Sequence, residues 1–100
     1  MSVLVEACCA SVEDVLVAEQ AGCDRVELCS AMTLGGLTPT VGMVRAIKAK
    51  SNIPIMAMNR PRSGGFCYTD AEFEMMDSLI GMRIRLFCSL PNGCVFLSHY

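Results

Sequence analysis

Two short peptides in this chain share a pattern suited to metal or acid–base chemistry. Glu6-Ala7-Cys8 and Glu27-Leu28-Cys29 each place a carboxylate two residues before a thiol. In an extended strand, side chains two residues apart point to the same face. Each peptide would therefore present its Glu and its Cys together. Thiolates are soft ligands that favour copper(I) or zinc. Neighbouring parallel strands lie about 4.8 Å apart, so Cys8 and Cys29 would approach closely if their strands were adjacent. Both carboxylates would lie one step deeper. A carboxylate is rarely buried without a partner, and Arg25, Arg60 or Arg62 could supply one. Cys9 follows Cys8 directly, and the pattern leaves open which of the two is the better ligand. Met56 and Met58 could add thioether sulfur, although packing in the core is the stronger reading for both.

A second constellation is Arg60-Pro61-Arg62-Ser63-Gly64-Gly65. Two arginines and a glycine-rich turn ahead of a helix could hold an anionic group. Equal weight falls on a solvated loop whose arginines pair with local acids. The loop matches neither a phosphate-binding P-loop nor a dinucleotide fingerprint. Glu6, Glu27, Arg60 and Arg62 are the candidates for acid–base catalysis on a small anionic substrate. His99, the only histidine, lies one residue from the C-terminus and reads as a frayed terminal residue. Cys23, Cys67, Cys88 and Cys94 have no spacing that picks them out, and no C-x-x-C pair occurs.

The elements that must position these residues alternate. Val3 to Cys9 reads as a strand. Ser11 fits an N-cap, with Asp14 three residues on, and Val12, Val15, Leu16 and Ala18 make a helical apolar stripe ending before Gly22. Asp24 to Ser30 is a second strand, followed by a loop containing Gly35 and Gly36. Thr38-Pro39 has the form of an N-cap and first helical residue, leading into a helix with Val41, Val44 and Ile47 on its apolar face. Ile53 to Asn59 is a third strand. Thr69-Asp70-Ala71-Glu72 is a capping box opening a third helix, with Phe73 and Met76 on one face. The order β-α-β-α-β-α implies parallel strands, with sites at their C-terminal ends.

Composition narrows the function classes. The chain has 100 residues, 53% of them hydrophobic, with a net charge of −2. Such a composition excludes a disordered tail, and the acidic balance argues against a charge-driven nucleic-acid binder. No apolar run approaches the roughly 18 residues of a membrane span, and the N-terminus lacks a secretory pattern. Seven cysteines without a signal peptide point to a reducing compartment, the cytoplasm first, with the nucleus as an alternative. All ten acidic residues lie at or before Asp77, while residues 81–100 contain only Arg83 and Arg85 as charged residues. That shift divides the chain into a domain at 1–80 and a divergent tail at 81–100. Within the tail, Leu90-Pro91-Asn92-Gly93 reads as a turn between two short β-prone pieces.

Over about residues 3–76 the sequence resembles the CutC copper-homeostasis family. The residues that carry the resemblance are Glu6-Ala7-Cys8, Ser11-Val12-Glu13, Asp24 to Ser30, Gly35 to Thr40, Ile53-Pro54, Arg60-Pro61-Arg62, and Phe66 with Tyr68. The resemblance implies a TIM barrel with a role in copper handling and no settled reaction. The family's proposed copper-binding cysteines fall on Cys8 and Cys29. Where the family carries an acid after its Arg-Pro-Arg-Gly-Gly, this chain has Gly65. Beyond about Ile80 the resemblance ends. A whole TIM barrel takes roughly 250 residues. The expected fold is thus α/β, a partial TIM barrel of about three N-terminal βα units followed by an irregular or short-stranded tail. The expected function is copper(I) binding through Cys8 and Cys29. The alternatives are the remnant of a barrel enzyme acting on a small anionic metabolite and an inactive truncated isoform. The expected partner is a copper ion, with no nucleic acid and no membrane, and homo-oligomerisation is left open for full-length family members.

Overall fold

The computed structural model describes residues 3–80, 85–90 and 93–98, with side chains as far as Ser78. The elements run β1 (Glu6–Cys9), α1 (Val12–Gln20), β2 (Arg25–Leu28), α2 (Val41–Lys48), β3 (Ile55–Asn59), α3 (Asp70–Ile80), β4 (Arg85–Leu90) and β5 (Gly93–Ser98). They form one sheet in the order β1-β2-β3-β4-β5. Strands β1 to β4 are mutually parallel, and β5 runs antiparallel to β4. Consecutive parallel strands lying side by side, with a helix in each crossover, are the opening arc of a TIM barrel. The expected βα alternation is present, with strands shorter than their apolar runs.

The tail contains more regular structure than its composition shows. Arg85–Leu90 extends the parallel sheet, with Met56 opposite Arg85 and Asn59 opposite Cys88. β5 pairs with β4 from Arg85–Ser98 to Leu90–Gly93, and Pro91-Asn92 at the centre of the expected turn lie outside the described residues.

Helices α1 and α2 cover one face of the sheet. Alternation along each strand sends Cys9, Val26, Leu28 and Ala57 to that face, where they meet Val15 and Ile47 in the core. Val15, Val26, Leu28, Ile47 and Ala57 are fully buried. Each such aliphatic side chain contributes roughly 1.5–3 kcal/mol of transfer free energy.

Capping chemistry starts the helices largely where the sequence places it. Ser11 Oγ accepts from the Asp14 N–H at 3.0 Å, and Asp14 Oδ2 accepts from the Ala10 N–H at 3.1 Å. The α3 box is reciprocal: Thr69 Oγ1 accepts from the Glu72 N–H at 3.2 Å, and Glu72 Oε1 from the Thr69 N–H at 3.3 Å. The α2 start differs from expectation. Its N-cap is Thr40, whose Oγ1 accepts from the Met43 N–H at 3.1 Å, and not Thr38. Thr38 Oγ1 is engaged by the end of β3, donating to the Arg60 carbonyl at 3.0 Å and accepting its N–H at 2.9 Å. A tertiary contact has taken the first Thr, and the second, two residues on, caps the helix. Met76 is buried as expected, but Phe73 stays half-exposed, edge-on to Tyr68 with ring centroids 5.9 Å apart.

Among the described residues, no helix is long and apolar enough to cross a membrane.

Candidate metal centre

The face of the sheet opposite α1 and α2 carries the other parity. Glu6 and Cys8 of β1 lie beside Arg25 and Glu27 of β2. Glu6 is directly opposite Arg25, and their side chains form an ion pair. Cys8 is directly opposite Glu27. Cys29 follows the end of β2 and keeps the ladder going through its N–H, which donates to the Cys9 carbonyl at 2.9 Å. Its side chain falls on the same face as Glu27. The result is a cluster in which one ligand atom each of Cys8, Glu27 and Cys29 lies within 4.8 Å of the others.

The cluster spans a gradient of exposure. Cys8 is exposed, Glu27 half-buried and Cys29 fully buried. The Cys29 thiol donates to Glu27 Oε1 across 3.6 Å. Its acidity is strongly suppressed, with the pKa pushed up to about 12. Burial is the leading cause, followed by the neighbouring charges of Cys8 and Glu27 and by hydrogen bonds to both. Cys29 is therefore protonated at neutral pH when nothing is bound, and an incoming cation must displace that proton.

The loop after β2 closes over Cys29. Ser30 and Leu37 exchange backbone hydrogen bonds of 2.8 and 2.7 Å, drawing residues 31–36 into a tight turn. Gly36 has φ +91°, and a Cβ there would stand 3.4 Å from the Cys29 sulfur. A side chain at Gly36 would be strained by the backbone and tight against the thiol.

Arg60 and Arg62 are engaged by backbone carbonyls of the loops that follow β2 and β3. Arg60 is buried, and its Nη1 donates to the Leu34 and Gly36 carbonyls at 3.0 and 3.2 Å. Its Nη2 donates to the Gly64 carbonyl at 3.1 Å, and its guanidinium lies 5.2 Å from the Phe66 ring centroid. It thus ties together the loops after β2 and β3. Arg62 binds the Gly65 and Cys67 carbonyls at 2.7 and 2.8 Å and pairs with Glu72 at 2.7 Å. Burial acts to raise the Glu72 pKa, but the Thr69 hydrogen bonds and the Arg62 charge outweigh it and hold the carboxyl below its ordinary value. Arg62 pairs with a local acid, as the solvated-loop reading expects, whereas Arg60 is buried and pairs with carbonyls.

The structure also separates the cysteines that sequence could not rank. Cys9 points into the core and is buried, so Cys8 is the β1 cysteine at the cluster. Met56 and Met58 are both buried. Cys23 is half-buried and Cys67 exposed, and both are free thiols. The side chains of Cys88 and Cys94, and all of His99, lie outside the described residues. Sequence reasoning singled out Glu27 as a catalytic candidate. Its place beside two thiols follows from the β1–β2 register, which the sequence does not state.

A separate cavity of about 310 Å³ opens beside Asn59, Pro61, Met75 and Met76. Asn59 donates from Nδ2 to the Met76 carbonyl at 3.1 Å. Its parity places it on the helix side, away from the cysteine cluster.

Comparison with known proteins assigns the chain to a family. The family model described as the CutC family matches residues 3–86, which carries the match into β4. A family protein CutC of Sodalis glossinidius (strain morsitans) is 51% identical over 72 residues. That alignment takes in 72% of this chain and 29% of the relative. Among solved structures, a CutC of Streptococcus agalactiae, described as a candidate copper homeostasis protein, superposes with a TM-score of 0.70 at 33% identity. It matches 79% of this chain, which spans 39% of that protein. The chain therefore corresponds to under half the length of these relatives. Since the family model matches residues 3–86, well over half of its length, the chain belongs to the CutC family.

Proposed function

We propose that this chain binds copper(I) through the thiolates of Cys8 and Cys29 and takes part in copper handling in the cytoplasm. The observation that carries the reading is the approach of the two sulfurs to within 4.8 Å on adjacent strands. Two thiolates on opposite sides of one ion stand about 4.6 Å apart, taking about 2.3 Å for each metal–sulfur bond from the zinc value. Little backbone movement is needed to reach that span. Soft thiolates prefer copper(I) over the harder cations of the cell. Copper here is cargo, entering from the exposed Cys8 side and completing its shell at the buried Cys29. Family membership and the candidate copper role of the Streptococcus agalactiae relative point the same way.

Binding requires loss of the thiol protons, so affinity rises with pH. The reading of a small anionic substrate draws no support from Arg60 and Arg62, whose Nη groups are held by backbone carbonyls. Anaerobic copper(I) titration against a chromophoric chelator tests the proposal. The wild-type chain should take up copper in competition with the chelator, and the double variant Cys8→Ser/Cys29→Ser should not. Equal uptake by the two would overturn it.

A further inference from the structure

We propose that the same cluster is a three-donor site for a borderline divalent cation of the zinc(II) class, with Glu27 as third ligand and a fourth position open to solvent. The inference rests on the reading that Cys8 and Cys29 bind metal, and it adds both a ligand and a cation class.

Geometry is the first argument. A copper(I) ion held linearly between two sulfurs leaves Glu27 outside its shell. In a tetrahedral site, bonds of about 2.3 Å to sulfur and about 2.1 Å to oxygen place those two atoms about 3.6 Å apart. Cys29 Sγ and Glu27 Oε1 are 3.6 Å apart. That pair already stands at the length of one tetrahedral edge. Cys8, opposite Glu27 in register, supplies the third corner within 4.8 Å.

Charge is the second argument. Two thiolates and a carboxylate bring three negative charges to a site where one member is fully buried. Arg25 already pairs with Glu6. A divalent ion leaves less uncompensated negative charge than a monovalent one, and uncompensated buried charge is costly.

The surroundings supply the rest of a metal site. Cys8 and Glu27 sit on paired strands, so their backbones are held by the ladder. The turn at Gly36 covers Cys29 from one side, while Cys8 remains exposed on the other. Three protein ligands with one open position are the arrangement that lets zinc hold a water or an exchangeable ligand. On binding, the two thiols lose their protons to solvent, and the cation takes the two sulfurs and the carboxylate oxygen.

The test is an anaerobic titration of the whole chain with cobalt(II), a spectroscopic substitute for zinc(II), followed by displacement with zinc(II). The wild type should show thiolate-to-cobalt charge transfer and the intense visible bands of a four-coordinate ion, both abolished by zinc(II). Glu27→Gln should weaken zinc(II) binding at least about tenfold, a lower bound taken from the loss of mere supporting contacts. The same variant should lose zinc(II) affinity by a larger factor than copper(I) affinity, because a linear two-sulfur site takes no bond from the carboxylate, and equal factors would overturn Glu27 as a ligand. Wild-type zinc(II) affinity in Glu27→Gln would overturn the role of Glu27. Weak six-coordinate cobalt bands in the wild type would overturn the three-donor site, and this readout stands even if the variant does not fold. Copper(I) uptake that survives Cys8→Ser/Cys29→Ser would instead sink the copper reading and leave the cobalt spectrum to judge this one.

Discussion

Cys8 and Cys9 are covalent neighbours on β1, and they occupy opposite environments. Cys9 faces the helices, sits in the apolar core with Val26 and Leu28, and is buried. Cys8 faces away from them, is exposed, and joins Glu27 and Cys29. The strand pleat alone separates them. One face of the sheet packs against the helices, and the other carries Glu6, Cys8, Arg25 and Glu27, with buried Met56 opposite Glu27. Charges and soft donors can gather on the second face because the first already buries the aliphatic side chains. The thiol acidities reflect this division. Burial raises the Cys9 pKa, with the charge of Asp14 next, whereas Cys29 responds to burial and then to its cluster partners.

The sharpest way to break this comparison is to exchange large for small on each face. Leu28→Ala on the packed face should cost about 3 kcal/mol, through lost transfer energy and the cavity left behind. Cys8→Ala on the open face should change stability by about 0.5 kcal/mol or less. Urea denaturation of both variants measures the contrast, and equal costs would show that the two faces are not distinct. Cys9→Ser should lower stability while leaving copper uptake intact, since its sulfur points away from the cluster.

A second test uses alkaline pH. The Cys29 pKa is raised from 9.0 to about 12 in the folded chain. The unfolded chain therefore gives up this proton first, and between these values the folded state holds more protons. Stability falls as pH rises under that condition. The contribution is fully present below pH 9.0 and is lost as pH climbs through about 12. Comparing denaturation midpoints of wild type and Cys29→Ser across that interval isolates it. The wild type should fall more steeply, and parallel curves would contradict the assigned burial.

A third test concerns the two threonines ahead of α2. Thr40→Ala removes the α2 cap and should cost about 1 kcal/mol. Thr38→Ala should cost as much or more, because it leaves the Arg60 N–H without its Thr38 partner. A Thr40→Ala variant as stable as the wild type would show that Thr40 does not cap α2.

The strand parity that pairs Glu with Cys, the caps at Ser11 and Thr69, and the βα alternation are legible in the sequence. Each depends on residues within a few positions of one another. The position of β4 was not legible. Its local pattern shows only β-propensity, and a place in a sheet depends on the neighbouring strand. The role of Arg60 was likewise hidden, since its carbonyl partners at Leu34 and Gly36 lie in the loop after the preceding strand.

From the sequence alone came the periodicities, the candidate thiols Cys8 and Cys29, and the family resemblance, because all three reside in residue types and short spacings. Tertiary structure decided that Arg25 pairs with Glu6, that Glu27 stands beside two sulfurs, and that Cys9 belongs to the core. Those outcomes are set by the register between strands and by which face the helices cover. Both are relations between distant segments, fixed only when the sheet closes its hydrogen bonds and buries its apolar side.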